Sequence, residues 1–207
     1  MLPLRVLPAL DDHPLVERCV AGDRAAQRQL FDREKRRVHA TLFRILGPNH
    51  HLDDLLQDVF LAVFRSLHTF RGEASLSTWI DRCAVRSALA HIRSRRSAHH
   101  LGLVIDNIAS DDPSAERHAL AREATKRLYA VLEGLEPKHR LAFTLYAIDE
   151  RRIPEVAELM GATVVATKAR VWRARRYLEK RAKADPLLSD YMTAATKGAI
   201  PHAEDSP

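Results

Sequence analysis

At 207 residues the chain has room for one ordinary domain or two small helical ones, and its 46% apolar fraction excludes wholesale disorder. The net charge of +6 points to an anionic partner, nucleic acid ahead of a membrane surface. With 7 glycines and no HExxH, GxSxG or Cys-x-x-Cys pattern, the chain carries no enzyme signature, and none is expected.

Taken in order, MLPLRVLPALDDHP has interior prolines and early acids, which argue against a signal peptide. No later run approaches the roughly 20 apolar residues of a membrane span. A cytoplasmic protein without direct membrane insertion is expected. A first helical region runs from about Pro14 to Leu46 and stops at Gly47-Pro48-Asn49. The next, Asp53 to Phe70, buries Leu55, Leu56, Val59, Phe60, Val63 and Leu67 on one arc. Its outer arc carries Asp54, Gln57, Asp58, Leu61 and Arg65. Acids in a first turn stabilise the helix N-terminus, which accounts for Asp53 and Asp54. It does not account for Asp58 beside Leu61, a combination that repels DNA and can dock a protein; a lone exposed leucine is the plainer reading, and both stay open here.

After RGEAS a third helix, Thr78 to Arg96, buries Ile80, Ala84, Ala88 and Ile92 at i,i+4 spacing. Arg93, Arg95 and Arg96 suit a helix C-terminus, whereas Arg82 and Arg86 lie too early for that explanation. The turn before this helix is either a connection capped by Ser75 or Ser77, or an exposed recess beside the helix start. The helical pattern then fails over residues 98–114, which read as an extended linker. Helix resumes near Ala115, restarts after Pro137 at a first-turn position, and is followed by IPEVAELMGATVVATKARVWRARRYL. That is a short helix, a turn with Gly161 and a longer helix, the geometry of a helix-turn-helix.

In the long helix, Val164, Thr167, Val171, Ala174 and Leu178 form the expected packed face. At about 100° per residue the opposite face holds Val165, Ala166, Ala169, Arg173 and Arg176, flanked by Lys168, Arg170 and Trp172. Between Val164 and Lys183 stand eight bases and one acid, Glu179. A solvated face normally mixes signs for i,i+4 pairing, so DNA binding is favoured over a merely basic surface. The tail, residues 185–207, is mixed in composition, although LLSDYM could dock.

Cys19 and Cys83 fall in helical stripes and read as buried reduced thiols without redox or metal function. The pairs His50–His51 and His99–His100 are adjacent, and helix neighbours point about 100° apart, so no metal or other cofactor is expected. The class is all-α: two small helical domains, 1–97 and 115–184, on the linker 98–114.

These parts in this order resemble the extracytoplasmic-function (ECF) sigma factors, the small two-domain promoter-specificity subunits of bacterial RNA polymerase. DDLLQDVFLAVFRSLHTFRGEASLSTWI is similar to the family's region 2, and LEGLEPKHRLAFTLYAI through TKARVWRARRYL to its region 4. The resemblance implies binding rather than catalysis, with core RNA polymerase, promoter DNA and an anti-sigma factor as partners. It places Asp54, Gln57, Asp58 and Leu61 on the clamp-helix coiled coil of the polymerase's largest subunit. It places Arg71, Gly72, Glu73, Ser75 and Ser77 at a flipped base of the −10 element, with Arg82 and Arg86 along the melted strand. Val165, Lys168, Ala169, Arg170, Trp172, Arg173 and Arg176 would then meet the −35 element in the major groove, and the linker would thread toward the RNA exit path.

The chain departs from the family pattern at several positions: Val165-Ala166-Thr167 before Lys168, Arg86 for a common Asn, Asp81 for an aromatic, Glu150 for a turn glycine, and Pro154 opening a helix. Two rival readings account for less. A repressor-type helix-turn-helix protein explains only the second half, and a helical adaptor for membranes or acidic proteins explains only the charge.

Overall fold

The computed structural model describes residues 12–49, 51–100, 116–183 and 185, and the side chains among them except those of 97–100 and 116–122. The expected extended linker, the tail beyond Asp185 and the two histidine pairs lie wholly or largely outside these residues. Every regular element described is helical: α1 (His13–Val20), α2 (Arg24–Leu46), α3 (Leu52–Ser66), α4 (Leu76–His100), α5 (Glu116–Glu133), α6 (Pro137–Phe143), α7 (Ile153–Leu159) and α8 (Val164–Ala182). The chain divides into two compact units. Of the described residues, the first comprises 12–43 and 51–88, and the second comprises 44–49, 89–100, 116–183 and 185.

In the first unit, what reads as one helical region from Pro14 is two helices. Gly22 adopts φ +84°, and the N–H groups of Gly22 and Asp23 close back on the carbonyls of Cys19 and Arg18 at 3.1 and 3.0 Å. This left-handed stop ends α1. Asp23 then caps α2, its carboxylate accepting from the Ala25 and Ala26 N–H groups at 2.8 and 3.1 Å. Stop and start share three residues, so apolar periodicity runs across the break and hides it. Helix α3 closes in a short 3₁₀ turn, Leu67–Thr69. Helix α4 runs on to His100, into the stretch expected to be linker. Arg93 is therefore about two turns from the helix end, beyond the reach of the terminal dipole.

The inward stripe of α2 is Ala26, Leu30, Glu34, Val38, Leu42 and Ile45, all buried. Glu34, only 4% exposed, is a charge in an apolar row. It is satisfied by Arg37, whose Nε and Nη2 donate to it at 2.9 and 2.6 Å, and by Arg33 at 3.0 Å. Arg37 also donates to the carboxylate of Asp81, 3% exposed on α4, and to the Ser77 carbonyl at 3.1 Å. The Ser77 hydroxyl donates to Glu34 at 3.0 Å. One guanidinium thus fastens the start of α4 to the middle of α2. Asp81 faces inward and pairs here, so it takes no part in the outer surface of α4.

The core of the second unit joins Leu128, Leu132 and Leu135 of α5 and its following turn to Phe143 of α6 and to Ala174, Leu178 and Ala182 of α8. Glu136 caps α6 and Pro137 opens it, as the first-turn position of the proline predicts. A π-helical segment, Thr144–Ile148, follows. At Glu150 the backbone has φ +55°, the left-handed region a glycine occupies without steric cost. A β-carbon there costs roughly 1–2 kcal/mol, partly offset by the greater entropy glycine loses on folding. Glu150→Gly is therefore expected to stabilise this unit by about 0.5–1 kcal/mol. A urea titration followed by Trp172 fluorescence checks it, and an unchanged or lower midpoint contradicts it.

Candidate nucleic-acid and protein interfaces

On α3 the apolar arc is inside: Leu55, Val59, Phe60 and Val63 are buried, Leu56 partly so. Asp54, Gln57, Asp58, Leu61 and Arg65 are all exposed, Leu61 by 50%. Asp53 lies 3.8 Å from the His39 imidazole of α2, which sets the acidic start of α3 beside that helix. A leucine with Asp54, Gln57 and Asp58 on one side and Arg65 on the other offers a partner an apolar centre with a polar rim. The two acids outnumber the one arginine, which disfavours DNA there.

The turn between α3 and α4 has a different character. Gly72 sits at φ +70° with open space where a β-carbon would be, and Arg71 and Glu73 are exposed. Phe70 and Trp79 meet edge to face at 5.9 Å and brace the turn from both sides. Ser75 is the cap of α4: its hydroxyl accepts from the Thr78 N–H at 3.1 Å. That decides between Ser75 and Ser77 for the cap. Ser77, expected at the −10 base, instead turns its hydroxyl into the Glu34 network, so its part in the turn is to hold it rather than to reach out. Arg86 is exposed, with its Nε donating to the Arg82 carbonyl at 3.1 Å, while Arg82 is half-buried.

In the second unit α7 and α8 form the helix-turn-helix. Pro154 is accommodated in the first turn of α7, where its missing N–H costs nothing. The Glu155 carboxylate accepts from the Arg152 N–H at 3.1 Å and from its guanidinium at 2.6 Å. The guanidinium contact, foremost, holds Glu155 below the usual carboxylate range, against partial burial. Gly161, at φ +58°, stops α7 with paired bonds from its own N–H to Glu158 and from Ala162 to Ala157. Thr163 then caps α8, accepting from the Ala166 N–H at 3.1 Å.

Helix α8 buries Thr167, Ala174, Leu178 and Ala182, with Val171 half-buried. Val164, expected on this packed face, is exposed at 41% in the first turn of α8. The outer face presents Val165, 78% exposed, with Lys168, Trp172, Arg173 and Arg176, while Ala169 and Arg170 are half-exposed. The Arg176 guanidinium lies 5.2 Å over the Trp172 ring, which holds it in place at small entropic cost. Glu179, the one acid of the helix, pairs with Arg175 at 2.8 Å, so one i,i+4 pair exists on a surface expected to have none. His139 of α6 is pushed below its ordinary pKa by burial first and by Arg173 and Arg170 next, while Glu136 opposes.

Two family models match the chain: Sigma-70 region 2 over residues 30–98 and Sigma-70, region 4 over residues 125–178. The ECF RNA polymerase sigma-E factor of Haemophilus influenzae is 29% identical over 188 residues, covering 86% of this chain and 98% of that protein. The chain belongs to the ECF-type sigma factors. Among solved structures, CnrH in complex with the cytosolic domain of CnrY is 25% identical, with a TM-score of 0.56 over 84% of this sigma factor and 98% of that chain. The sigma factor RpoE in complex with the anti-sigma factor NepR from Bartonella quintana shares the fold, with 20% identity and a TM-score of 0.53 over 76% and 97% of the two chains.

Sequence reasoning missed two residues of this sigma factor that anchor the start of α4 after the turn, Glu34 and Arg37. A signal was present: Glu34 interrupts an i,i+4 apolar row on α2, and Arg37 stands three residues on, the spacing of a helical ion pair. Both cysteines are buried, and burial raises their thiol pKa values, Cys83 foremost by desolvation and Cys19 likewise. Among the described residues no helix is long and apolar enough to cross a membrane.

Proposed function

We propose that this sigma factor binds core RNA polymerase through Asp54, Gln57, Asp58 and Leu61 and reads promoter DNA through two separate surfaces. The exposed turn at Arg71, Gly72 and Glu73, with Arg86 beyond it, takes the melted −10 strand. Helix α8 enters the major groove at the −35 element. The single observation that carries this reading is the outer face of α8, where small residues alternate with exposed arginines on the second helix of a helix-turn-helix. An anti-sigma factor as controlling partner fits the resemblance, and the solved relative CnrH is itself in a complex with the cytosolic domain of CnrY. The role is binding in the cytoplasm, with no catalysis by this chain.

The test separates specifying from positioning residues. Arg173 stands on the groove face, where a good bidentate contact discriminates between bases by roughly 1–3 kcal/mol. Lys180, exposed two turns further along, is placed for phosphates. Transcription from a library of −35 variants at several salt concentrations is expected to show Arg173→Ala relaxing preference at one position. Lys180→Ala should weaken all promoters alike and reduce the salt slope by about one. Equal, uniform losses from both variants would mean that α8 is an electrostatic clamp.

A further inference from the structure

Val165 is a poor choice for where it stands. It is 78% exposed on the first turn of α8, packs into no core, and its β-branch lowers helix propensity relative to alanine. Water gains nothing from it and phosphates cannot use it. It shares one stripe with Ala169, Arg173 and Arg176, and HTH recognition helices read base edges with their N-terminal residues. Along the major groove the base edges present donors and acceptors, and the apolar group among them is the C5-methyl of thymine. A valine on a helix keeps one strongly preferred rotamer, so its two methyl groups are held out at almost no entropic cost. The half-exposed Ala166 and Ala169 beside it keep the helix surface low, which lets so short a side chain reach the groove floor.

We infer that Val165 is a specificity-determining residue that selects a thymine in the −35 element by packing against its C5-methyl group. The inference rests on the reading of α8 as the −35 helix. It makes Val165 complementary to Arg173: the arginine reads a polar edge by hydrogen bonding, and the valine reads a methyl by desolvation. Burying one methyl group against apolar surface corresponds to roughly a fourfold preference.

The experiment uses holoenzyme assembled from this chain and bacterial core RNA polymerase. Bound duplexes are selected from two libraries randomised over the −35 region, one made with thymidine and one with deoxyuridine, which lacks the methyl group. The wild type is expected to enrich thymine at one position about fourfold more strongly than it enriches uracil there. Val165→Ser, which puts a hydroxyl in place of the two methyl groups at an exposed site, should treat the two libraries alike at that position. Wild-type profiles that are the same in both libraries would overturn the inference, as would a Val165→Ser profile that keeps the methyl dependence. In either case base preferences that vanish in Arg173→Ala leave the −35 reading standing. A wild-type profile flat at every position overturns both together.

Discussion

Replacing Leu61 by Arg together with Asp58 by Lys is expected to weaken binding to core RNA polymerase at least thirtyfold, about 2 kcal/mol or more, while the protein stays folded. Both positions are exposed on α3, so neither change disturbs the buried row Leu55, Val59, Val63. The leucine supplies the apolar centre of the patch and the aspartate its negative rim. The double substitution removes the first and inverts the second, and affinity differences of this kind concentrate at the centre of an interface. Fluorescence anisotropy with labelled protein measures the affinity, and far-UV circular dichroism checks the fold. Glu17→Lys, a charge reversal at an exposed site on α1, serves as the control and should bind normally. A folded double variant that binds as tightly as the control would remove α3 from the polymerase interface.

Arg37→Ala carries the largest expected cost in stability. The substitution leaves Glu34 and Asp81, both buried, facing each other without the guanidinium that joins them, and strips the Ser77 carbonyl of a donor. Removing one partner from a buried ion pair typically costs about 3–5 kcal/mol. Glu34 keeps Arg33, so the lower half of that range is expected here. Arg37→Lys should recover part of the loss, because an ammonium restores charge but its three donors radiate from one compact nitrogen, without the width of the planar guanidinium that spans Glu34, Asp81 and the Ser77 carbonyl. Trp79 lies in the same unit, so urea unfolding in a Trp172→Phe background reports on this unit alone. The same variants should bind single-stranded −10 DNA more weakly even where they remain folded, since the network anchors the helix that follows the turn. A loss below about 1 kcal/mol for Arg37→Ala would mean that water already shares the site, as at an exposed salt bridge.

Much of this protein was legible as periodicity. The row Ile80, Ala84, Ala88, Ile92 on α4 and the arc Leu55, Val59, Phe60, Val63 on α3 are buried where i,i+4 spacing puts them. Leu61 is exposed because it falls outside such an arc, and the arginines at 173 and 176 lie opposite the buried Thr167, Ala174 and Leu178 for the same reason. The helical period decides which side of a helix a residue occupies before any partner is known. Turn chemistry was readable too at Gly161, where a left-handed stop needs glycine.

Periodicity is silent about what meets across helices, and there the tertiary structure decided. Asp81 and Ser77 lie some forty residues beyond Glu34 and Arg37 in the chain, and no local pattern says that one guanidinium will bind all three. Ser77 reads like any polar loop residue until the helix it opens is set against α2, and then its hydroxyl points at a carboxylate. Val164 fits the apolar stripe of α8 by spacing, yet it is exposed, because spacing assigns a side of the helix and not whether a neighbour covers that side at the first turn. Sequence alone therefore determined the faces, the all-helical class and the family, whereas the two compact units divide within α2 and α4, away from the expected boundary at 97/98. The pairing of buried charges, and which surface residues are free to meet DNA, required the packing of helices distant in the chain, since desolvation and hydrogen-bond geometry exist only once both partners are in place.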